Sequence, residues 1–294
     1  MRCSLCPRSC GALREDDRGE GFCGMGAQPV LAKACLHRWE EPCISGERGA
    51  GAIFFSGCVL HCVFCQNYRV SSENFGKRVT VERLREICRK LIAMGAHNID
   101  LVSPTHYSAA VAELLSEPLG APVIFNTGGY DRVETLRTLK GKVDVYLPDL
   151  KYADDGLAMR YSGAPDYFET ATKAIGEMFA QTGPYVIGGD GLIKSGTVIR
   201  HMILPGQLDN TRRVIDWVAS NFRPGEVMFS LMSQYTPFGR VKGGEFPELA
   251  RTLSRREYEK IGQYLMFSDV EDGYYQELSS ASDSYIPDFD LENI

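Results

Sequence analysis

The sequence predicts an α/β fold, a parallel βα barrel of about six units behind a cysteine-rich amino-terminal extension. Two observations carry this. Strand-like and helix-like patterns alternate along the middle of the chain, and runs such as VDVYL and VIRHMIL are nearly continuous apolar segments, as parallel strands covered on both faces require. All ten cysteines also lie at or before Cys88, which divides the chain into residues 1–49, a barrel over 50–270 and a tail over 271–294.

The elements follow in order. Ala52–Ser56 reads as a buried strand, and Thr80–Met94 as a helix capped by Thr80, with Leu84, Ile87, Cys88 and Leu91 at helical spacing. Asn98–Val102, Pro122–Phe125, Val143–Leu147, Thr197–Leu204 and Val227–Leu231 read as further strands. Between them Ser108–Leu115, Arg132–Leu139, Ala171–Gln181 and Asn210–Phe222 read as helices, with a helix start at Asp154 and Asp155 and an exposed Gly-rich loop over Thr182–Ser195. A last helix, Ser254–Leu265, opens on a capping box of Ser254 and Glu257 and leads to a short Gly273–Gln276 segment.

Composition excludes several classes. The chain has 294 residues, 44% of them apolar and 24% charged, with a net charge of −6. That is enough chain to bury a core without disulfides. The acidic balance supplies no phosphate-binding footprint, and Arg83, Arg85, Arg89 and Lys90 form an ordinary solvated helix face, so no nucleic-acid partner is expected. No apolar run reaches the roughly 18 residues of a membrane span, and the start MRCSLCPRSC has no leader character, so a cytoplasmic location with no membrane partner is the expectation.

The carboxyl ends of the strands share a character. SGC, SPTH, NTGGY, PDLK, PG and SQYTP are all polar or Gly/Pro-containing, and in parallel βα barrels these ends build the functional face. Asn126, Thr127, Asp149, Lys151, Arg200 and Gln234 offer more hydrogen-bonding capacity than turns need. His106 and His201 also fall near strand ends, whereas His61 reads as a solvated spacer.

Ten cysteines without a secretion signal point to metal rather than to disulfides. The run GCVLHCVFCQN places Cys58, Cys62 and Cys65 in a CxxxCxxC loop directly after the first barrel strand. Structural zinc takes four protein ligands, while a 4Fe-4S cluster on three cysteines keeps one iron open for an outside ligand. Cys3, Cys6, Cys10 and Cys23 form a second set in a segment too poor in apolar residues to fold by burial alone. Four thiolates suit zinc or a second 4Fe-4S cluster; Cys43 is an alternative ligand or a small buried residue, and Cys35 and Cys88 read as packing.

With these residues in view, the chain resembles the radical S-adenosylmethionine superfamily, whose signature is the CxxxCxxC loop. The resemblance implies a partial (β/α)6 barrel of TIM type, in agreement with the units read above. It also implies that S-adenosylmethionine chelates the open iron through its amino and carboxylate groups and is cleaved reductively to methionine and a 5′-deoxyadenosyl radical. Closer similarity is to the glycyl-radical-enzyme activases, with GCxxxCxxCHN where this chain has GCVLHCVFCQN, so that Gln66 stands for the usual His. By that resemblance Phe64 packs near adenine, Asp149 and Lys151 of PDLK contact the amino-acid part of the cofactor, and Arg200 of RHMILPG adds a further contact; Asn126 and Thr127, from the strand-end reading, are expected to bind the cofactor with them. Over nearly its whole length the chain looks like the group described as pyruvate formate-lyase activating enzyme-like proteins, through CSLCPRSCGALR, WEEPCISG, GAHNIDLVSPTH and SLMSQYTP.

Three functions follow as expectations. The first is a radical enzyme acting on a protein, peptide or small molecule, with flavodoxin or ferredoxin as electron donor. The second is activation of a glycyl-radical enzyme, against which the extra cysteines count because they precede the motif instead of following it. The third is a non-catalytic iron–sulfur or zinc protein, which has no need of a polar rim.

Overall fold

The computed structural model describes residues 2–15, 19–281 and 287–294. In chain order the strands are β1 (Val30–His37), β2 (Ala50–Phe55), β3 (Lys77–Arg78), β4 (Ile99–Val102), β5 (Val123–Thr127), β6 (Val145–Pro148), β7 (Val186–Ile187), β8 (Ile193–Met202), β9 (Met228–Met232) and β10 (Gly273–Tyr275). The helices are α1 (Pro42–Ser45), α2 (Tyr68–Ser71), α3 (Val81–Ala93), α4 (Ser108–Leu114), α5 (Val133–Arg137), α6 (Asp155–Ser162), α7 (Tyr167–Thr182), α8 (Leu208–Asn221) and α9 (Arg255–Met266).

Strands β2, β4, β5, β6, β8 and β9 each pair in parallel with the next, which are the six strands the alternation predicts. Strand β10 adds to β9 in parallel, while β1 runs antiparallel along β2 and carries β3 on its other edge. The strand path therefore has two free ends, and the barrel is partial. No helix among the described residues is long and apolar enough to cross a membrane.

Local chemistry explains the boundaries. Helix α3 starts where the Thr80 hydroxyl accepts from the Arg83 N–H at 3.2 Å, and Leu84, Ile87, Cys88 and Leu91 form its buried stripe. Helix α9 opens on the capping box of Ser254 and Glu257. Strand β5 runs two residues past its apolar part because Asn126 and Thr127 stay in register with Leu147 and Pro148 of β6. Strand β6 starts two residues later than expected, since the Asp144 carboxylate turns back to accept from the Val123 N–H at 2.8 Å.

The expected loop over Thr182–Ser195 needs correction: β7 pairs antiparallel with the start of β8 inside it. The Gly-rich stretch is a hairpin turn, and its apolar residues Val186 and Ile187 are exposed, which erased the alternation that marks a strand. Beyond the helix start at Asp154, whose carboxylate accepts from the Leu157 N–H at 3.0 Å, a full helix α6 extends to Ser162. The carboxyl-terminal residues lie along β1, where the Leu291 N–H donates to the Ala32 carbonyl and the Ala34 N–H to the Glu292 carbonyl. Lys33 reaches Asp290 and Glu292 there at 3.1 and 3.0 Å.

His201 is a core residue of β8 that joins two elements. Its Nδ1 lies 2.6 Å from the Leu150 carbonyl and must donate to it, which leaves Nε2 to accept from the Thr211 hydroxyl at 2.9 Å. Burial pushes its pKa down to about 4, against the opposing pull of the Leu150 carbonyl. Because the folded value is depressed, this contribution is fully present above pH ~6.5 and is lost as pH falls toward 4. We expect His201→Gln to flatten the fall of unfolding free energy over that window by up to ~1.4 kcal/mol per pH unit, measured by urea melts, with the wild-type slope retained if His201 carries none of it.

Candidate active site

The parallel strands end on one side, and a cavity of about 740 Å³ opens there. Asn126, Thr127, Asp149, Lys151, Arg200 and Gln234, read from the sequence as rim residues on different loops, all line it. So do Phe64 and the three cysteines of the CxxxCxxC loop.

The thiol loop leaves β2 through Gly57, at φ +80°, where a Cβ would meet Met25 Cγ at 2.4 Å and the Cys23 carbonyl at 3.1 Å. Only glycine fits there, because both the backbone conformation and the space exclude a side chain. The Cys58 sulfur accepts from the Leu60 N–H at 3.3 Å, the Cys62 sulfur from the Ser162 hydroxyl at 3.1 Å and the Cys65 sulfur from the Ser71 hydroxyl at 3.3 Å. One donor per sulfur favours the thiolate form that a metal needs. Burial pushes Cys62 up and Cys65 up to about 12, partly opposed by the Lys151 ammonium. Among the described residues no three His, Cys, Asp or Glu side chains are arranged around a single metal ion. An iron–sulfur cluster makes a different demand, since each thiolate binds its own iron and the sulfurs need to face one cavity instead of one point. Three inward thiols, one loop and a cavity beyond them fit that group.

Charge organises the rest of the site. Arg200 donates from Nε to Asp149 at 2.8 Å, from Nη2 to the Asn126 side-chain oxygen at 2.7 Å and from Nη1 to Glu40 at 2.8 Å. Lys151 takes the other Asp149 oxygen at 2.5 Å. Burial alone would raise the Asp149 pKa; Arg200 and then Lys151 outweigh it and hold the carboxyl below the usual range. The same carboxylates hold Lys151 and Arg200 above theirs against burial. The loop is set by Tyr167, whose hydroxyl accepts from the Lys151 N–H at 2.8 Å and donates to the Asp149 carbonyl at 2.7 Å. Gly129, at φ +77°, lets the neighbouring loop pass, for a Cβ there would meet that carbonyl at 2.2 Å.

Sequence reasoning missed three parts of this site. Glu40 and Glu41, quoted only within a shared run, enter from the turn before β2 and face Arg200 at 2.8 and 3.9 Å. Burial and the Glu40 charge push Glu41 up, Arg200 pulls it down, and it comes to rest at about 7. Asp100, inside the apolar-looking strand IDLV, is fully buried, and its carboxyl is pushed well up by burial and by Glu40. Thr127 is held by its own cluster: with Thr105 it donates to the Asp131 carboxylate, at 2.5 and 2.7 Å, and burial pushes that carboxyl up to about 6. Two adjacent acids between Trp39 and Pro42 were the available signal.

Other predicted residues take plain positions. Phe64 is buried and meets Tyr161 and Tyr235 edge-on, with centroids 6.3 and 6.0 Å away. His106 is buried and donates to the Ser56 carbonyl at 2.8 Å. His61 is not a solvated spacer: it is half-buried at φ +50°, with its ring 4.6 Å from that of Phe22, because the loop turns inward there. Cys43 is buried with Tyr274 beside it, and Cys88 lies in the core on the buried stripe of α3.

The profile of the radical SAM superfamily matches residues 52–218, more than half of the chain. The chain belongs to the radical SAM superfamily, and it is an enzyme of the class that uses a 4Fe-4S cluster and S-adenosylmethionine. An uncharacterized protein of Methanocaldococcus jannaschii is 29% identical over 269 residues, covering 88% of this chain and 72% of that one. In fold, the chain is similar to Streptococcus suis SuiB bound to its precursor peptide SuiA, at TM-score 0.53 and 16% identity over 76% of this chain. It spans about half, 48%, of the SuiB chain. A spore photoproduct lyase with bound S-adenosylmethionine and dinucleoside spore photoproduct is similar at TM-score 0.52 and 11% identity, covering 83% of this chain and 78% of that one.

The Asp149 bridge makes a measurable demand. Asp149→Asn leaves two buried cations short of a counter-charge, and we expect the unfolding free energy to fall by about 3 kcal/mol at neutral pH, read from the urea midpoint at constant m-value. A change under about 0.5 kcal/mol is the result for a bridge that solvent screens.

Proposed function

We propose that this enzyme cleaves S-adenosylmethionine reductively at the Cys58, Cys62 and Cys65 loop and uses the resulting 5′-deoxyadenosyl radical to abstract hydrogen from a peptide, protein or small-molecule substrate. The observation that supports it is the single cavity shared by the three thiols, the Asp149–Lys151–Arg200 bridge and Phe64. A 4Fe-4S cluster held by the three thiolates supplies an open iron and a low-potential electron.

The protein's own residues then have assignable tasks. Lys151 and Arg200 present cations toward the carboxylate of the cofactor, and Asp149 keeps both charged and aimed. Asn126 fixes the Arg200 fork from the side, and Glu40 fixes it from below, so little reorganisation remains when the ligand arrives. Phe64 supplies an apolar wall for adenine, itself held edge-on by two tyrosines. Val59, Leu60 and Val63 are buried around the thiol loop and keep water from the reactive site. Flavodoxin or ferredoxin is the partner proposed for the electron, since either matches the low potential required.

Anaerobic reconstitution with iron and sulfide followed by dithionite tests the reading. Wild-type protein is expected to release 5′-deoxyadenosine and Cys58→Ala none above background; equal yields from the two would sink it. Lys151→Ala is expected to raise the S-adenosylmethionine concentration for half-maximal cleavage by about tenfold or more, the equivalent of ~1.4 kcal/mol.

A further inference from the structure

The radical motif leaves one set of thiols unused. Cys3, Cys6, Cys10 and Cys23 are all free, and they lie together: Cys3, Cys10 and Cys23 are each close enough to Cys6 to act on it electrostatically. Four groups that repel one another as anions are packed into a segment with almost no apolar content. Burial holds Cys6 and Cys23 but leaves Cys10 exposed and Cys3 half-buried, so burial alone does not account for the set.

The backbone around them is built in two tight turns. In the first, the Ser9 N–H donates to the Cys6 carbonyl at 3.0 Å, with Ser9 at φ +40°; in the second, the Gly24 N–H donates to the Gly21 carbonyl at 2.9 Å, with Gly24 at φ +68°. Each turn aims a backbone N–H two residues on at the cysteine sulfur, Arg8 at Cys6 and Met25 at Cys23. The same arrangement serves Cys58 in the radical motif, through Leu60. A short ladder, Cys3 N–H to the Ala12 carbonyl and Gly11 N–H to the Cys3 carbonyl, brings Cys3 beside the backbone that follows Cys10. Gly21 completes the approach, since a Cβ there would meet the Cys10 sulfur at 2.9 Å. The Arg14 guanidinium, 4.0 Å from the Cys3 sulfur, supplies positive charge to a set that would carry a net −2 once closed on a 4Fe-4S core of charge +2.

This segment also grips the thiol loop of the active site. Arg8 donates to the Val59 carbonyl at 2.6 Å and to the Gly163 and Ser162 carbonyls at 2.8 and 2.9 Å, while its guanidinium lies 3.5 Å over Phe22. Phe22 in turn meets His61 inside the CxxxCxxC loop. Arg14 reaches the His106 carbonyl at 2.5 Å, and Thr135 donates to the Leu5 carbonyl at 2.8 Å. Ser162, whose carbonyl Arg8 holds, is the residue whose hydroxyl donates to Cys62.

We propose that Cys3, Cys6, Cys10 and Cys23 form a four-thiolate centre for a second 4Fe-4S cluster, each thiolate on its own iron as the absence of a single-ion site among the described residues requires, and that the cluster-stapled segment clamps the outer face of the Cys58–Cys65 loop. Binding exchanges four thiol protons for metal–sulfur bonds, with no change of sulfur oxidation state. The centre stands apart from the radical reading, because it concerns other cysteines.

The experiment removes the radical cluster first. The full chain carrying Cys58→Ala, Cys62→Ala and Cys65→Ala is purified anaerobically and reconstituted with iron and sulfide, and its iron is counted. The expected result is about four irons per chain, lost when Cys6→Ser and Cys23→Ser are added. A triple variant that is folded by circular dichroism and holds no iron overturns the proposal. If that variant does not fold, the fully loaded wild type decides: iron beyond one 4Fe-4S cluster supports the centre, and about four irons per chain overturn it. Hydrogen exchange tests the clamp in the metal-loaded triple variant. Stripping the metal with a chelator is expected to speed exchange across residues 57–63 by about tenfold or more, and unchanged rates there overturn the clamp.

Discussion

Asp149 sits between two cations, and the site depends on that arrangement. Its two oxygens take Arg200 from β8 and Lys151 from its own loop, so one carboxylate joins the ends of two neighbouring strands. Arg200 extends the tie to Asn126 on β5 and to Glu40 before β2. Four segments distant in sequence are thus positioned by hydrogen bonds of 2.5 to 2.8 Å to two side chains. Buried charges tolerate few alternative arrangements, because any misplaced partner leaves an ion unpaired where water cannot reach it. The network therefore specifies geometry more than it stabilises the fold.

The thiol loop obeys a different constraint. It carries a left-handed residue at His61 and a glycine at Gly57 that no side chain can replace, and its sulfurs each keep one polar donor. Such a loop holds its shape only if its surroundings hold it. On the inner side those surroundings are Tyr161 and Tyr235, against which Phe64 of the loop packs. On the outer side they are Arg8, Phe22 and Met25 from the amino-terminal segment, so part of the segment that sequence sets apart as an extension backs the thiol loop in the structure.

Legibility differed between fold and site for a physical reason. Parallel strands buried on both faces are apolar throughout, and the helices between them carry one buried stripe, so α3 and α9 could be placed with their caps from local pattern alone. The β7–β8 hairpin escaped because its apolar residues face solvent, and β10 showed only as a short segment because a three-residue strand next to Gly273 has no pattern to read. Within the site, cysteine spacing and strand-end polar residues were visible because they are concentrated in short runs. Glu40, Glu41 and Asp100 were not, since an acid is marked as special only by being buried, and burial is decided by what folds over it.

Sequence by itself determined the chemistry: three thiols at CxxxCxxC spacing after a strand, six strand-and-helix units, and polar residues at the strand ends. These are local properties, set by side-chain type and by the periods of strand and helix. Only the tertiary structure decided which of those residues share a cavity, which acids surround Arg200, and that the segment carrying Cys3, Cys6, Cys10 and Cys23 packs against the active-site loop. Those are contacts across tens to hundreds of residues, and a linear pattern carries no record of them until the parallel sheet brings the strand ends to one side.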